Sequence, residues 1–168
     1  MGFVARIARL VPIETWPQLL NASQHRYWDG FALATSGETR NVGAVYLLGY
    51  VAEMLLKVAY FRIEGFPRHG DVDHARSAAR RQARLYRLQR RNDHDLLYWR
   101  DLIERRRDER GLAHDAAFSG ALRVRIRTIA DNWVETLRYA DVDATHDELQ
   151  AVSDSVEWLV ANQTRLWS

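Results

Sequence analysis

Apolar residues along this chain recur at helical spacing, and no stretch alternates apolar and polar residues as a half-buried strand would. The longest apolar segment, residues 44–63, is hydrophobic around nearly its whole circumference. Its charged side chains are Glu53, Lys57 and Arg62. A helix that is hydrophobic on every side must be buried on every side, either in a bundle core or in a membrane.

The two central charges of this segment favour the bundle core. Glu53 and Lys57 are four residues apart with the acid first, so they share a helix face and can form an ion pair. Each would cost about 2.5–3.5 kcal/mol near the middle of a bilayer, and the chain has no second apolar stretch of that length. We therefore predict a buried pair of Glu53 and Lys57 inside a bundle, with no membrane contact.

Together with the central segment, the remaining apolar stripes predict a bundle of five helices. One further helix, which is basic, is predicted as an addition to this bundle. Thr145 and Glu148 form the clearest start signal, a capping box in which each side chain bonds the other residue's N–H. The fold class is therefore all-α, an up-and-down bundle in a single domain over residues 1–168, with its core at about 15–165. The predicted helices span about 16–35, 39–64, 74–90, a short segment that ends at Gly111, 120–139 and the stretch after Thr145.

Composition excludes several classes of site. There is no cysteine, so disulfides and thiolate metal sites are excluded. No group of His, Asp and Glu has convincing metal spacing, and there is no glycine-rich phosphate loop, so we predict neither a metal nor a cofactor. The first ten residues lack the apolar stretch of a signal peptide, from which we expect a cytoplasmic protein.

Charge is unevenly distributed along the chain. Residues 1–128 carry 22 basic and 14 acidic side chains, whereas residues 129–168 carry 2 basic and 8 acidic ones. Lys57 is the single lysine, and every other basic residue is arginine. Arginine can donate two parallel hydrogen bonds to a phosphate and stack on bases, although a high-GC coding bias produces the same excess.

Three segments, in order, resemble the motifs of HEPN domains (higher eukaryotes and prokaryotes nucleotide-binding domains). The first is the apolar helix in which Glu53 precedes Lys57 by four residues. The second, His-Asp-Leu-Leu at 94–97, is similar to the start of the family's middle helix. The third, Arg-Tyr-Ala-Asp at 138–141, resembles the family's Arg-Tyr-Pro-Asp element, with alanine in place of proline. The match covers about residues 15–165, and residues 68–91 look like an insertion.

The resemblance implies a homodimeric helical bundle. Some HEPN proteins are metal-independent ribonucleases, often toxins paired with a nucleotidyltransferase antitoxin, and others are non-catalytic partners in nucleotide or RNA handling. In the catalytic members an arginine, followed after four to six residues by a histidine, lies near the start of the last helix. A histidine there can move a proton at neutral pH, and an arginine can neutralise charge that develops on the phosphate.

Arg138 and His146 lie at the corresponding place and are our candidate catalytic residues, although seven residues separate them. A structural explanation is available for each. Arg138 is near a helix C-terminus, where a cation is favourable, and His146 can be a solvated first-turn residue. His94 also has two interpretations, orienting the short helix or taking part in catalysis, and we favour the first.

The insertion contains seven arginines and no acid between residues 76 and 91. On a continuous helix five of them would share one surface, which we call the arginine face: Arg76, Arg80, Arg84, Arg87 and Arg91. Neighbouring cations repel one another unless an anion lies against them. Three surroundings of the arginine face therefore remain open: RNA or nucleotide phosphate, an acidic protein surface, or solvent alone.

Two functions from different classes follow. One is a HEPN-like protein that binds RNA or nucleotide phosphate within a bacterial toxin–antitoxin or defence pair and can also be a metal-independent ribonuclease. The other is a non-catalytic partner whose arginine face docks an acidic protein such as a nucleotidyltransferase. A third, weaker hypothesis is a ligand-binding bundle with a pocket near Glu53.

Overall fold

The computed structural model describes residues 15–36, 40–89 and 92–168, and these residues form helices and no β-strand. The all-α prediction is therefore confirmed for this part of the chain. The helices are α1 (Trp16–Thr35), α2 (Asn41–Ile63), α3 (Val72–Leu85), α4 (Leu96–Glu109), α5 (Ala116–Asn132), a 3₁₀ helix (Glu135–Tyr139), α6 (His146–Ala161) and α7 (Gln163–Trp167).

Helix α2 lies at the centre of the bundle. It contacts α1, α4, α5, α6, α7 and the 3₁₀ helix, and the residues buried in it lie on all sides of the helix. By length and composition α2 could cross a membrane, but 67% of its apolar window is buried inside the protein. This burial is typical of the core helix of a soluble protein.

Short polar side chains begin four of the helices. Asp71, Asp95 and Asp115 accept hydrogen bonds from backbone N–H groups in the first turns of α3, α4 and α5. At α6 the predicted capping box is present: the N–H of Glu148 donates to Thr145 Oγ1 at 3.2 Å, and the N–H of Thr145 donates to Glu148 Oε2 at 2.7 Å. Helix α4 is thus capped by Asp95.

The basic helix α3 is shorter than predicted and packs through small residues. Ala75, Ala79 and Ala83 are buried on its inner face, and the hydroxyl of Tyr98 on α4 donates to the carbonyl of Ala79 at 3.2 Å. Alanine at these positions lets the two helix backbones approach closely. The opposite side of α3 carries its arginines.

Helix α3 ends at Leu85, and this corrects the prediction that Arg87 shares its face. The N–H of Leu88 bonds the carbonyl of Ala83 at 2.9 Å, and that of Arg87 bonds the carbonyl of Arg84 at 3.1 Å. These two bonds define a Schellman motif, which places Arg87 in the left-handed region with φ of 54°. Arg87 therefore lies outside α3, two residues after its last residue.

The same termination ends α2 and α4, but with glycine in the left-handed position. Gly65 has φ of 72° and Gly111 has φ of 67°. Glycine has no Cβ and adopts this conformation without strain, whereas Arg87 bears the usual steric cost. The ends of α2 and α4 are therefore marked by a glycine in the sequence, whereas no glycine marks the end of α3.

Helix α5 ends at Asn132, earlier than the predicted boundary near residue 139. Trp133 has extended backbone angles (φ −135°, ψ 133°), and its indole N–H donates to the carbonyl of Tyr46 on α2 at 3.1 Å. The indole lies directly over Gly49 of α2: a Cβ built on Gly49 would be 2.1 Å from Trp133 Cδ1. Packing of this tryptophan against α2 therefore replaces the last turns of the expected helix.

Replacing Gly49 with alanine should destabilise the fold by about 2 kcal/mol or more, because the added methyl overlaps the buried indole of Trp133. In most helix interiors the same change is stabilising. Gly120→Ala in α5 is the matched control, since nothing lies within 4 Å of its Cβ position, and it should raise stability by up to about 1 kcal/mol. Urea unfolding of both variants measures the contrast, and equal effects at the two positions would contradict the packing described.

Candidate functional site

The ion pair of α2 is buried at the centre of the bundle. Lys57 Nζ hydrogen-bonds Glu53 Oε1, and the two side chains are 4% and 5% exposed. The Lys57 ammonium also lies 5.5 Å from the ring centroid of Trp99 on α4, a cation–π distance. Removing two charges from water is costly, so the pair needs further polar partners to persist.

His94 supplies the second partner of Glu53. Its Nδ1 lies 2.8 Å from Glu53 Oε2, so the two carboxylate oxygens are divided between Lys57 and His94. The backbone N–H of His94 donates to Asn92 Oδ1 at 2.9 Å, which fixes the loop just before α4. The His94 side chain is 34% exposed, and it therefore connects the buried pair to solvent.

The three groups shift one another's protonation. Burial opposes ionisation of Glu53, but its hydrogen bond with His94 and the charge of Lys57 together bring its pKa below the ordinary value. Burial lowers the pKa of Lys57, although the charge of Glu53 acts in the opposite direction. The hydrogen bond to Glu53 raises the pKa of His94 above 6.5. Glu53 is therefore an anion that favours the protonated form of His94.

Aromatic rings surround His94. The ring of Tyr50 meets the imidazole edge-on at 5.9 Å between centroids, and Trp133 lies 6.5 Å away. Tyr50 in turn packs on Trp133 at 5.2 Å and on Tyr46 at 5.0 Å. These rings restrict the orientation of the imidazole, so His94 is held by packing as well as by Glu53.

A cleft of about 140 Å³ opens beside His94, between the start of α4, the end of α5 and the 3₁₀ helix. Its acidic residues each have a partner inside the protein. Asp95 accepts the N–H of Tyr98, Glu135 accepts from Asn92 at 3.0 Å, and Asp131 lies 3.8 Å from Arg127. The polar residues lining the cleft are Asn92, His94, Asp95, Arg127, Asp131 and Glu135.

Arg138 lies at the edge of this aromatic cluster. It is exposed at the end of the 3₁₀ helix, its guanidinium is 4.6 Å from the ring centroid of Tyr139, and a hydrogen bond with Tyr46 raises its pKa. Its charge also acts on Tyr50, the ring that packs on His94. Arg138 therefore acts on Tyr50, which is a neighbour of His94.

His146, the other candidate catalytic residue, is the first residue of α6 and is exposed. Within the described part of the chain its side chain has no hydrogen bond, ion pair or ring contact with Arg138 or with the Glu53 cluster. The capping contacts at this helix start belong to Thr145 and Glu148. The structure thus gives His146 surroundings that fit a solvated first-turn residue.

The arginine face is only partly described. Arg76, Arg80 and Arg84 lie on α3 and Arg87 follows it, while Arg91 lies outside the described residues. Arg76 Nη1 bonds Asp73 Oδ1 at 3.0 Å, and Arg80 Nη2 contacts both carboxylate oxygens of Asp93 at 3.1 Å. Acids inside the protein therefore neutralise two of these cations.

Arg84 and Arg87 differ from the other two. Both are exposed, and neither forms an ion pair with an acid in the part of the chain that the structure describes. Arg80 and Arg84 border a groove of about 180 Å³ whose apolar wall is formed by Ala83, Leu88 and Tyr98. Cationic and apolar groups thus meet along one edge of α3.

An ion pair joins the basic helix to the His94 loop, because Arg80 binds Asp93, the residue before His94. The same Asp93 is also held from α4, where the indole N–H of Trp99 donates to its carbonyl at 3.3 Å. The arginine face and the Glu53 cluster are therefore neighbouring parts of one surface region.

Sequence reasoning missed two features of this region. It did not connect His94 with Glu53, which is 41 positions away, and it did not identify the ring cluster of Tyr46, Tyr50 and Trp133. The spacing of Tyr46 and Tyr50, four residues apart on α2, was the available signal for an aromatic cluster on that face.

Within residues 15–36, 40–89 and 92–168, no three His, Asp or Glu side chains are grouped so that they could hold a metal ion. Comparisons with protein-family models, with curated proteins and with solved structures gave no match. The likeness to HEPN domains therefore rests on the three sequence motifs.

Glu53→Gln should destabilise the fold by about 3–5 kcal/mol, because it leaves the Lys57 ammonium buried without its anion. Lys57→Met should also be destabilising, since it leaves the Glu53 carboxylate with His94 alone. The double variant should cost clearly less than the sum of the two single changes. Urea unfolding of all four proteins gives the coupling energy, and additive single effects would show that the pair does not act as a unit.

Proposed function

We propose that this protein binds RNA or nucleotide phosphate through the arginine face. The observation that carries the proposal is the presence of Arg84 and Arg87, exposed and without an acidic partner in the described residues, beside the groove bordered by Arg80 and Arg84. Adjacent guanidinium groups that lack internal anions favour an external one. Phosphate fits this geometry because arginine can donate two parallel hydrogen bonds to it.

The groove supplies a second element of such a site. Its wall of Ala83, Leu88 and Tyr98 can pack against a sugar or a base while the arginines contact the phosphates. Cations that lie next to apolar surface are the usual composition of single-stranded nucleic-acid sites. Arg80 can also exchange Asp93 for a phosphate, because this ion pair is about half exposed.

The HEPN resemblance extends the proposal to the assembly. From it we propose a five-helix HEPN-type core, a homodimer in the cytoplasm, and a role in a bacterial toxin–antitoxin or defence pair with a nucleotidyltransferase as antitoxin. It also supports metal-independent cleavage of RNA, with Arg138 neutralising charge on the phosphate. His146, the histidine at the family's position, is the first residue to compare with Arg138 in a cleavage assay.

One observation supports the alternative of a non-catalytic docking protein. Leu85 is 76% exposed on the last turn of α3, next to the arginines. An exposed leucine among cations suits the surface of an acidic protein better than it suits a sugar–phosphate backbone. RNA binding distinguishes the two functions, because a docking protein would have no affinity for RNA that depends on Arg84 and Arg87.

The double variant Arg84→Gln with Arg87→Gln should weaken the binding of a labelled single-stranded RNA. Each lost phosphate contact lowers the slope of log K against log salt by about 0.7, so the slope should fall by about 1.4. Fluorescence anisotropy at several salt concentrations measures both the affinity and the slope.

The matched control is Arg26→Gln with Arg123→Gln, which removes the same charge from α1 and α5 at side chains that are 51% and 63% exposed. It should leave affinity and slope close to those of the wild type. Equal losses of RNA affinity in the two double variants would show that binding depends on total charge and not on the arginine face. The absence of RNA binding by the wild type at low salt would exclude the proposed function.

A further inference from the structure

We propose that His94 is the proton donor to the 5′-oxygen leaving group when RNA is cleaved at the cleft beside it, with Glu53 as the residue that positions His94. This inference rests on the RNA-binding function proposed above. It replaces His146 by His94 as the partner of Arg138, and it follows from the contacts of the two histidines and not from their place in the sequence.

The first step of the argument is the orientation of the imidazole. Glu53 Oε2 occupies the hydrogen-bonding position at His94 Nδ1, at 2.8 Å, and Tyr50 and Trp133 restrict the ring from its sides. Nε2 is thus the nitrogen left to meet a ligand. Since the side chain is 34% exposed and lines the 140 Å³ cleft, a ligand can reach it.

The second step concerns the proton. The side chain of Glu53 is only 5% exposed, inside the bundle around α2. Its carboxylate therefore acts on His94 with little screening and favours the imidazolium form. Lys57 binds the other oxygen of Glu53 and keeps that carboxylate ionised. An imidazolium with Nδ1–H directed to a carboxylate can release its Nε2 proton and remain correctly oriented.

The third step is charge compensation at the phosphate. Arg138 lies on the 3₁₀ helix, which contacts α2, and its charge acts on Tyr50, the ring that packs on His94. Arg127 lines the same cleft. Of the three acids of the cleft, Asp131 lies beside Arg127, while Glu135 accepts from Asn92 and Asp95 accepts from the first turn of α4.

The reaction is an in-line transesterification. The 2′-oxygen forms a bond to phosphorus and gives its proton to solvent, while the bond between phosphorus and the 5′-oxygen breaks. The 5′-oxygen leaves with the proton from His94 Nε2, which His94 then regains from water. The products are a 2′,3′-cyclic phosphate and a 5′-hydroxyl.

The test compares RNA cleavage in EDTA by the wild type, His94→Gln and His146→Ala. His94→Gln should lower the rate by about 100-fold or more, whereas His146→Ala should stay close to the wild type. No cleavage by the wild type, or an unchanged rate in His94→Gln, overturns the inference. Each protein is also assayed for RNA binding. If the wild type does not bind RNA, the proposed function itself is refuted. If the wild type binds RNA but does not cleave it, only this inference is refuted.

A substrate with a bridging 5′-sulfur separates proton donation from a structural role. A thiol is far more acidic than an alcohol, so the thiolate leaves without a proton. His94→Gln should therefore cleave the 5′-thio RNA at a rate within about tenfold of the wild type. An equally large loss on both substrates would assign His94 a structural role and overturn the proposal.

The pH dependence tests the part played by Glu53. Cleavage needs the protonated form of His94, so the rate should fall as the pH rises through the pKa of His94. In Glu53→Gln this fall should move to lower pH, because Glu53 is the group that raises that pKa. An unshifted profile would remove Glu53 as the positioning residue.

The groups that face His94 from the surrounding elements are Tyr50, Glu53 and Lys57 on α2, Asp93 and Asp95 before α4, Arg127 and Asp131 on α5, and Glu135 at the start of the 3₁₀ helix.

Discussion

The structure depends on one buried carboxylate. Glu53 lies on the central helix α2, where a charge is tolerated only if its oxygens are paired. One oxygen binds Lys57 on the same helix and the other binds His94 from the loop before α4. The requirement to satisfy Glu53 therefore fixes the position of a partly exposed histidine relative to the core. A buried polar group of this kind fixes one arrangement of the helices at a cost in solvation.

The same helix also determines the shape of the surface around His94. Gly49 leaves room for the indole of Trp133, and the indole bonds the carbonyl of Tyr46. This contact draws the chain away from the helical path after α5 and produces the 3₁₀ helix that carries Arg138. Helix α2 thus packs Tyr50 and Trp133 around the histidine that its own glutamate holds.

Much of the fold could be predicted from the sequence, because helix periodicity and capping are local properties. Three features could be read in this way: the buried central helix, the spacing of Glu53 and Lys57, and the capping box at Thr145. Each of these signals is formed by residues that are close to one another in the chain. The end of α3 could not be predicted, because Arg87 adopts a left-handed conformation that normally requires glycine. The break at Trp133 was hidden as well, since it depends on a contact with Gly49 from another helix.

The site was less accessible to sequence reasoning for the same physical reason. Arg138 is a candidate because of a local motif, and its positive charge follows from its residue type alone. The surroundings of His94 depend on Glu53, 41 positions earlier, and on the rings of Tyr50 and Trp133, and no spacing rule connects them. His146 occupies the expected place in the chain, and the structure places it, exposed, at the first position of α6.

The most direct test of this account is an NMR titration of His94 in the wild type and in Glu53→Gln. Control of the imidazole by the buried carboxylate predicts a pKa above the ordinary value of 6.5 in the wild type and a clearly lower value when the carboxylate is replaced by an amide. A pKa of His94 that is ordinary in the wild type and unchanged in Glu53→Gln would contradict it.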